Sequence, residues 1–441
     1  MAVTPPLRGP DENAHFLRAY GLARGDIIPL AQDDKGRKGL FLPDRLASEF
    51  AFFDAAREGA ASAGFSYRRV FGTYSEQRFQ ERLPRGRTGA VFVPYGGSEG
   101  YTPVAYIPYA AAAGVAALAN LDFLPTLYLM RLAGLLATTA IIAYAIARTP
   151  VLRWCFFAVA MLPSAMLGRS LVNADGAVLA STLVVIALCL DAAAKGNTHP
   201  IQRAVWMTLC ALTKPSQVVF ALLELVTGAF PRGWRGWASA AAIMIPGIAL
   251  SALWVLAAGT DIGVWRLSEG GSLPAEQFQA AWKFRYMLEH PLHFPAALLT
   301  SLDYSAELWR QLIGVLGWLD TRLHPLAYPV LTVLLIVGSL DRIDLPQASR
   351  RRVVITAAVT SLAYWLLVFA LLFVTSTPVT SDRVLGVQGR YFIVMLPLMA
   401  LVVAALNPRR PSTMLQAGAT IVLALISVVV VVEAVLRTDW S

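Results

Sequence analysis

From residue 124 onward the chain is a succession of apolar runs, each about long enough to cross a bilayer. They fall at about 124–147, 151–168, 175–193, 236–259, 323–340, 353–375, 390–407 and 413–433. A hydrocarbon core about 30 Å thick takes about 20 helical residues. Inside it every backbone N–H and C=O must find a partner within the protein, which leaves only helices or closed barrels. Long uninterrupted runs exclude the short alternating strands of a barrel. Composition agrees, with 56% hydrophobic and 15% charged residues, against about 25% charged in a soluble domain. The stretch 203–230 is broken at Thr213-Lys214-Pro215 and reads as a helical hairpin. The expected fold is an all-α polytopic membrane protein, a bundle of about ten spans with loop helices on its outer face.

The runs divide the chain into four parts. Residues 1–123 form a polar outer-face region, with a re-entrant or interfacial helix over 101–120, where Pro103 and Pro108 open an apolar stretch. Residues 124–259 form a first transmembrane bundle that includes the broken hairpin. Residues 260–322 form an outer-face segment, and 323–441 a C-terminal bundle. The net charge is +9. If 1–123 lie outside, alternating spans collect Arg148, Arg153, Lys195, Arg203, Arg232, Arg235, Arg342, Arg350, Arg351, Arg352, Arg409 and Arg410 on the inside. The positive charge thus anchors topology. No nucleic-acid-binding module is present, and no nucleic-acid partner is expected. Cys155, Cys189 and Cys210 lie within apolar runs without metal or disulfide spacing. The N-terminus lacks the apolar core of a signal peptide. No phosphate-binding glycine loop and no Ser-His-Asp arrangement stands out.

Two polar motifs flank the spans on the same outer side: Pro10-Asp11-Glu12-Asn13-Ala14-His15, and Gln388-Gly389-Arg390-Tyr391. Asp11 and Glu12 can act as a general base on an acceptor hydroxyl, or bind a divalent cation beside a phosphate. They can equally be helix-start residues, since Pro followed by acids suits a first turn. His15 shares a helix face with Asp11, where it can orient the Asp, contact phosphate or form an ion pair. Arg390 offers a planar fork of donors matched to phosphate, and Gln388 and Tyr391 add hydrogen-bonding groups. Snorkelling at a helix end is the alternative for Arg390 and Arg131, and Tyr391 suits an aromatic belt. Lys214 lies at the tip of the broken hairpin, either as a functional intramembrane cation or as a loop residue. Asp175 opens a span, where an acid favours the helix N-terminus. Between Trp265 and Arg310, Trp265, Arg266, Trp282, Lys283, Arg285, Tyr286, His290 and His293 suit sugar stacking or, more simply, an amphipathic helix in the interface.

These motifs resemble those of a family of bacterial multi-span proteins catalogued as domain of unknown function 2142. The matching features are Pro5-Pro6, Pro10-Asp11-Glu12 with His15, Tyr106-Ile107-Pro108, Arg131-Leu132, Asn173-Ala174-Asp175, Lys214, Gly317-Trp318-Leu319-Asp320 and Gln388-Gly389-Arg390-Tyr391. That family in turn looks like the GT-C superfamily of membrane glycosyltransferases. The resemblance implies an acidic pair, here Asp11 and Glu12, in the first outer loop after a first span that this chain does not contain. It implies a polyprenyl-phosphate sugar as donor, and a glycan, lipid-linked or protein acceptor. It also implies a bacterial inner-membrane location with the active face periplasmic or extracellular. By this resemblance Asp11 and Glu12 are the catalytic candidates. His15, Arg131, Asp175, Lys214, Gln388, Arg390 and Tyr391 are the substrate-binding candidates. No cofactor follows with certainty, and Mg or Mn on Asp11 and Glu12 is left open. The alternatives are a transporter or flippase of lipid-linked glycans, and a non-catalytic subunit of a polysaccharide assembly complex.

Overall fold

The computed structural model describes residues 3–60, 62, 64–80, 89–196, 198–227, 233–259, 279–341, 347–406 and 412–441. Trp265, Arg266 and the loop cations Arg232, Arg342, Arg409 and Arg410 lie outside the described residues.

Among the described residues five helices are long and apolar enough to cross a membrane: Phe123–Arg148, Asp175–Lys195, Gly233–Ala258, Ser349–Ser376 and Thr413–Asp439. Each answers to one of the expected runs. The other runs are not continuous spans, and proline accounts for most of the breaks. The run 151–168 is two helices, Arg153–Ala160 and Pro163–Ser170. Pro163 cannot donate to the preceding turn, and it holds Leu162 extended at φ −60°, ψ 143°. The run 390–407 opens as a 3₁₀ segment, Gly389–Met395, and becomes α-helical only at Leu396–Leu406, with Pro397 in its first turn. The expected span 323–340 shortens to Ala327–Ser339 behind a small antiparallel pair, Val315–Leu316 with Thr321–Arg322. In the broken hairpin Pro200–Thr213 is α-helical, Lys214 is extended, and Pro215–Thr227 is a 3₁₀ helix packed back against it. The described residues thus hold five continuous candidate spans where about ten runs were expected.

The first hundred residues are more ordered than a loop region. In chain order they form α1 (Glu12–Ala23), β1 (Gly39–Pro43), α2 (Asp44–Gly59), α3 (Tyr67–Gln80) and β2 (Ala90–Pro94). The strands pair antiparallel with Phe41 opposite Phe92, an element that the all-α expectation did not include. A 3₁₀ turn at Pro103–Tyr106 leads into α4 (Ile107–Leu118), which is followed by α5 (Phe123–Arg148). Further along, the helix Ala280–Glu289 exposes Phe284 and Leu288 on one side. On another it stacks Trp282 on Tyr286. Its buried Lys283 ammonium donates to the Thr377 carbonyl.

Two hydrophobic cores result. One joins α1, α2 and the start of α5 through Phe16, Phe50, Phe53 and Phe123, with Tyr109 and Ala113 of α4 in the same core. Each fully buried ring contributes about 1.5–3 kcal/mol. The other surrounds the helix Asp175–Lys195, which is buried along nearly its whole length. The turn before that helix joins the two, with Leu171 in the bundle core and Val172 and Ala174 in the outer one. The Tyr109 hydroxyl of α4 donates to the Leu171 carbonyl and pins that turn. The polar motifs meet at this seam.

Candidate functional site

Asp11 and Glu12 are neighbours in sequence and part company in space. Asp11 adopts a left-handed backbone at φ 55°, ψ 19°, a conformation that costs a residue with a side chain of order 1 kcal/mol. Glu12 turns into the protein and is fully buried against Arg131. Its Oε1 accepts from Arg131 Nε at 2.7 Å and from the Val172 amide at 3.1 Å. Its Oε2 accepts from Arg131 Nη2 at 2.6 Å and from the Gly9 amide at 3.3 Å. Arg131 spends its other donors on the Thr4 and Pro5 carbonyls, both at 2.8 Å. Glu12 is therefore saturated by a structural pair that ties α1 to α5 and to the turn at Val172. It does not stand beside Asp11 as a second base or as half of a chelating pair. Arg131 is equally committed, so the snorkelling and phosphate-binding alternatives both give way to a buried staple.

The Asp11 side chain forms no cap hydrogen bond with α1, although capping is the ordinary role of an acid at that position. It is half exposed and lies 3.6 Å from Arg390 Nη2. Asp175 behaves in the same way. Asn173 Oδ1 accepts from the Asp175 amide at 3.0 Å and from the Gly176 amide at 3.4 Å, taking over the cap of that helix. The Asp175 carboxylate is left to approach Arg390 Nε at 3.4 Å. Arg390 thus stands between two carboxylates, neither close enough for a tight charge-assisted bond of about 2.7–2.9 Å. Its Nε is buried with no hydrogen-bond partner among the described residues, and so is Gln388 Oε1.

Arg390 is held in place by its neighbours. A Cβ on Gly389 would fall on the Leu308 carbonyl oxygen and crowd the Leu312 amide, so only glycine lets the 3₁₀ segment approach the helix Ser305–Gly314. The Gly389 amide donates to Gln311 Oε1 at 2.9 Å. The Tyr364 hydroxyl donates to the Tyr391 carbonyl at 3.0 Å, and Gln217 Nε2 donates to Tyr364 at 3.1 Å. Lys214 joins from the hairpin tip, where the Thr102 hydroxyl donates to the Leu212 carbonyl and draws the tip toward Tyr101. The Lys214 ammonium sits 3.9 Å from the centroid of the Tyr391 ring, and forms no hydrogen bond or ion pair among the described residues. His15 completes the cluster from α1. It is buried, with Nδ1 2.5 Å from the Tyr106 hydroxyl. Burial pushes its pKa down to about 4 against the pull of Asp11 and Asp175, with Arg390 and Lys214 adding to the fall.

Asp175, Lys214, Tyr364, Arg390 and Tyr391 of this cluster line a small cavity of about 30 Å³. Asp175, Lys214, Arg390 and Tyr391 form its charged part, while Ala165, Val178, Leu179, Ile393 and Val394 give it an apolar wall. The arrangement suits an amphiphilic anion, with a charged head on Arg390 and Lys214 and a hydrocarbon chain along the apolar side. Among the described residues no three His, Cys, Asp or Glu side chains are grouped to hold a metal.

Of the sequence candidates, Asp11, His15, Asp175, Lys214, Arg390 and Tyr391 meet in one place, with Gln388 beside them. Glu12 and Arg131 do not. Sequence reasoning missed Tyr101, Tyr106 and Tyr364 as part of the cluster. In a chain with 14 tyrosines their residue type carries little signal, although Tyr106 lies in one of the motifs noted above.

Residues 1–399 match the family model described as "predicted membrane protein (DUF2142)", and the chain belongs to that family. No curated protein and no solved structure matches it. Family and fold together make the chain a helical membrane protein.

Proposed function

We propose that this member of the DUF2142 family is a membrane glycosyltransferase that takes its sugar from a polyprenyl-phosphate donor. The observation that carries the reading is the cavity itself. Two cations with unused donors, Arg390 and Lys214, line it with Asp175 beside an apolar wall, and Asp11, likewise released from helix capping, stands 3.6 Å from Arg390. A cation without a tight partner in a partly dry site favours an anionic ligand. The phosphate of the donor binds Arg390 and Lys214, and its polyprenyl chain lies along Val178, Leu179, Ile393 and Val394.

The exposed Asp11 carboxylate is the base. The acceptor hydroxyl oxygen forms a bond to the anomeric carbon, its proton passes to Asp11, and the bond from that carbon to the phosphate oxygen breaks. The electron pair leaves on the lipid phosphate, where Arg390 and Lys214 stabilise the charge that develops. Asp175 orients Arg390. The acceptor is an envelope glycan, lipid or protein. Lys195 ends the span that Asp175 opens at the cavity, and Arg148 ends the span that begins at Phe123 in the outer core. This supports an active face on the outer side of the inner membrane.

The test is sugar transfer from a panel of radiolabelled polyprenyl-phosphate sugars by the purified chain in lipid. Turnover of one donor, abolished by Asp11→Asn and by Arg390→Ala in folded protein, is the expected result. Donor binding that leads to no turnover with any acceptor supplied would replace the enzyme with a transporter or a non-catalytic subunit. No binding of any donor would overturn the reading of the cavity.

A further inference from the structure

The hydrogen bond between His15 and Tyr106 has a direction, and the direction decides what His15 can do. Tyr106 is fully buried. Among the described residues its hydroxyl has a single polar partner, His15 Nδ1 at 2.5 Å. A phenol keeps its proton at neutral pH, and a buried O–H left without an acceptor costs about 1–3 kcal/mol. If Nδ1 carried the proton, it would donate to the phenol oxygen and leave the Tyr106 O–H with nothing to donate to. If Nδ1 is bare, both groups are satisfied. A neutral imidazole with a bare Nδ1 carries its proton on Nε2.

The ring stays neutral because it is buried, and its pKa lies near 4. The charged and titratable groups around it are Asp11 on its own helix, Tyr101 and Tyr106 before α4, Asp175, Lys214 and Arg390. Tyr101 meets the ring edge-on at 5.2 Å between centroids. Nε2 makes no hydrogen bond among the described residues, so it is the ring nitrogen a ligand can meet.

We propose that Tyr106 fixes His15 with its one proton on Nε2, so that His15 donates a hydrogen bond to a phosphoryl oxygen held by Arg390 and Lys214 and does not act as a proton acceptor. The inference rests on the anionic-ligand reading above. It adds a third donor to Arg390 and Lys214, one whose charge does not change over the physiological pH range. His15 thereby helps to fix the orientation of the phosphate, and the base role falls to Asp11 alone.

Histidine ¹⁵N NMR of the full chain in lipid bilayers tests the tautomer without any ligand. The His15 signal is identified among the five histidines by its loss in His15→Gln. The expected result is a protonated Nε2 and a bare Nδ1, unchanged from pH 8 to pH 5, with the preference lost in Tyr106→Phe. A proton on Nδ1, or an imidazolium at pH 6, would overturn the proposal. A second arm measures the affinity of farnesyl phosphate. His15→Leu should weaken it about tenfold or more, as for a lost hydrogen bond to a charged group, while His15→Gln, which restores an N–H near Nε2, stays close to the native chain. Equal affinity in all three overturns the donor role. A native chain that binds no farnesyl phosphate overturns the anionic-ligand reading, and the donor role with it, whatever the NMR reports about the tautomer.

Discussion

Two Arg–carboxylate clusters grow from adjacent residues of this chain, and they are built in opposite ways. Around Arg131, each Glu12 oxygen accepts two hydrogen bonds and every guanidinium nitrogen donates at least one, all within 2.6–3.3 Å and out of solvent. Around Arg390, two carboxylates stand off at 3.4 and 3.6 Å, and among the described residues its Nε has no hydrogen-bond partner, while Lys214 beside it rests over the Tyr391 ring. The first cluster is closed and holds the fold. The second is open and leaves its donors for something else. A buried ion pair that is fully hydrogen-bonded is stable as a unit and costly to halve. An under-coordinated one is what a ligand-binding site requires. The left-handed backbone at Asp11 sends the two neighbouring acids to these different ends.

That contrast can be broken by substitution. The largest effect is expected on transfer activity from Asp11→Asn, a loss of about 10²–10⁴-fold as for removal of a general base, with the melting temperature nearly unchanged. An Asp11→Asn chain with native turnover would remove Asp11 from the chemistry. Next, Glu12→Ala and Arg131→Ala should each destabilise the fold by about 3–5 kcal/mol, because each leaves an uncompensated charge in the protein interior. Thermal unfolding in lipid measures this, and a shift of only a degree or two would mean that the pair is not a staple.

Within the open cluster, Lys214→Met should weaken farnesyl phosphate binding by about tenfold, the scale of one charge-assisted hydrogen bond, without lowering stability. Unchanged affinity in equilibrium dialysis would place the phosphate elsewhere. The smallest effect concerns pH. His15 titrates near 4 in the fold and near 6.5 unfolded. The unfolded chain therefore binds more protons between those values. The His15 contribution is intact above pH 6.5 and is lost as the pH falls toward 4, by at most about 3 kcal/mol. His15→Gln should flatten the fall in melting temperature across that window. An identical fall in both chains would show that His15 is not buried in neutral form.

The sequence made part of this legible. Long apolar runs announced the spans, and five of them are continuous helices. Charges beside spans are costly, so Asp11, Lys214 and Arg390 stood out, and they converge with Asp175, whose place at a helix start had an ordinary explanation. What stayed hidden depended on contacts distant in sequence or on backbone geometry. Nothing local distinguishes Glu12 from Asp11, since their fates are set by Arg131, 119 residues away, and by one left-handed dihedral. The break at Met161-Leu162 was masked by an apolar run whose hydropathy does not register Pro163. Gly389 carried no signal beyond its place in the motif, whereas its absent side chain admits the backbone of Leu308 and Leu312. The β1–β2 pair joins segments some fifty residues apart and carried no turn signal.

The most direct test of the division between the two clusters is to measure sugar transfer and thermal unfolding side by side for Asp11→Asn and Glu12→Gln, on the same lipid-embedded preparations. The expected result is a crossed one: Asp11→Asn inactive and stable, Glu12→Gln destabilised, with activity per folded molecule retained. If Glu12→Gln instead abolished turnover at native stability, and Asp11→Asn did not, the open cluster at Arg390 would not be the catalytic site.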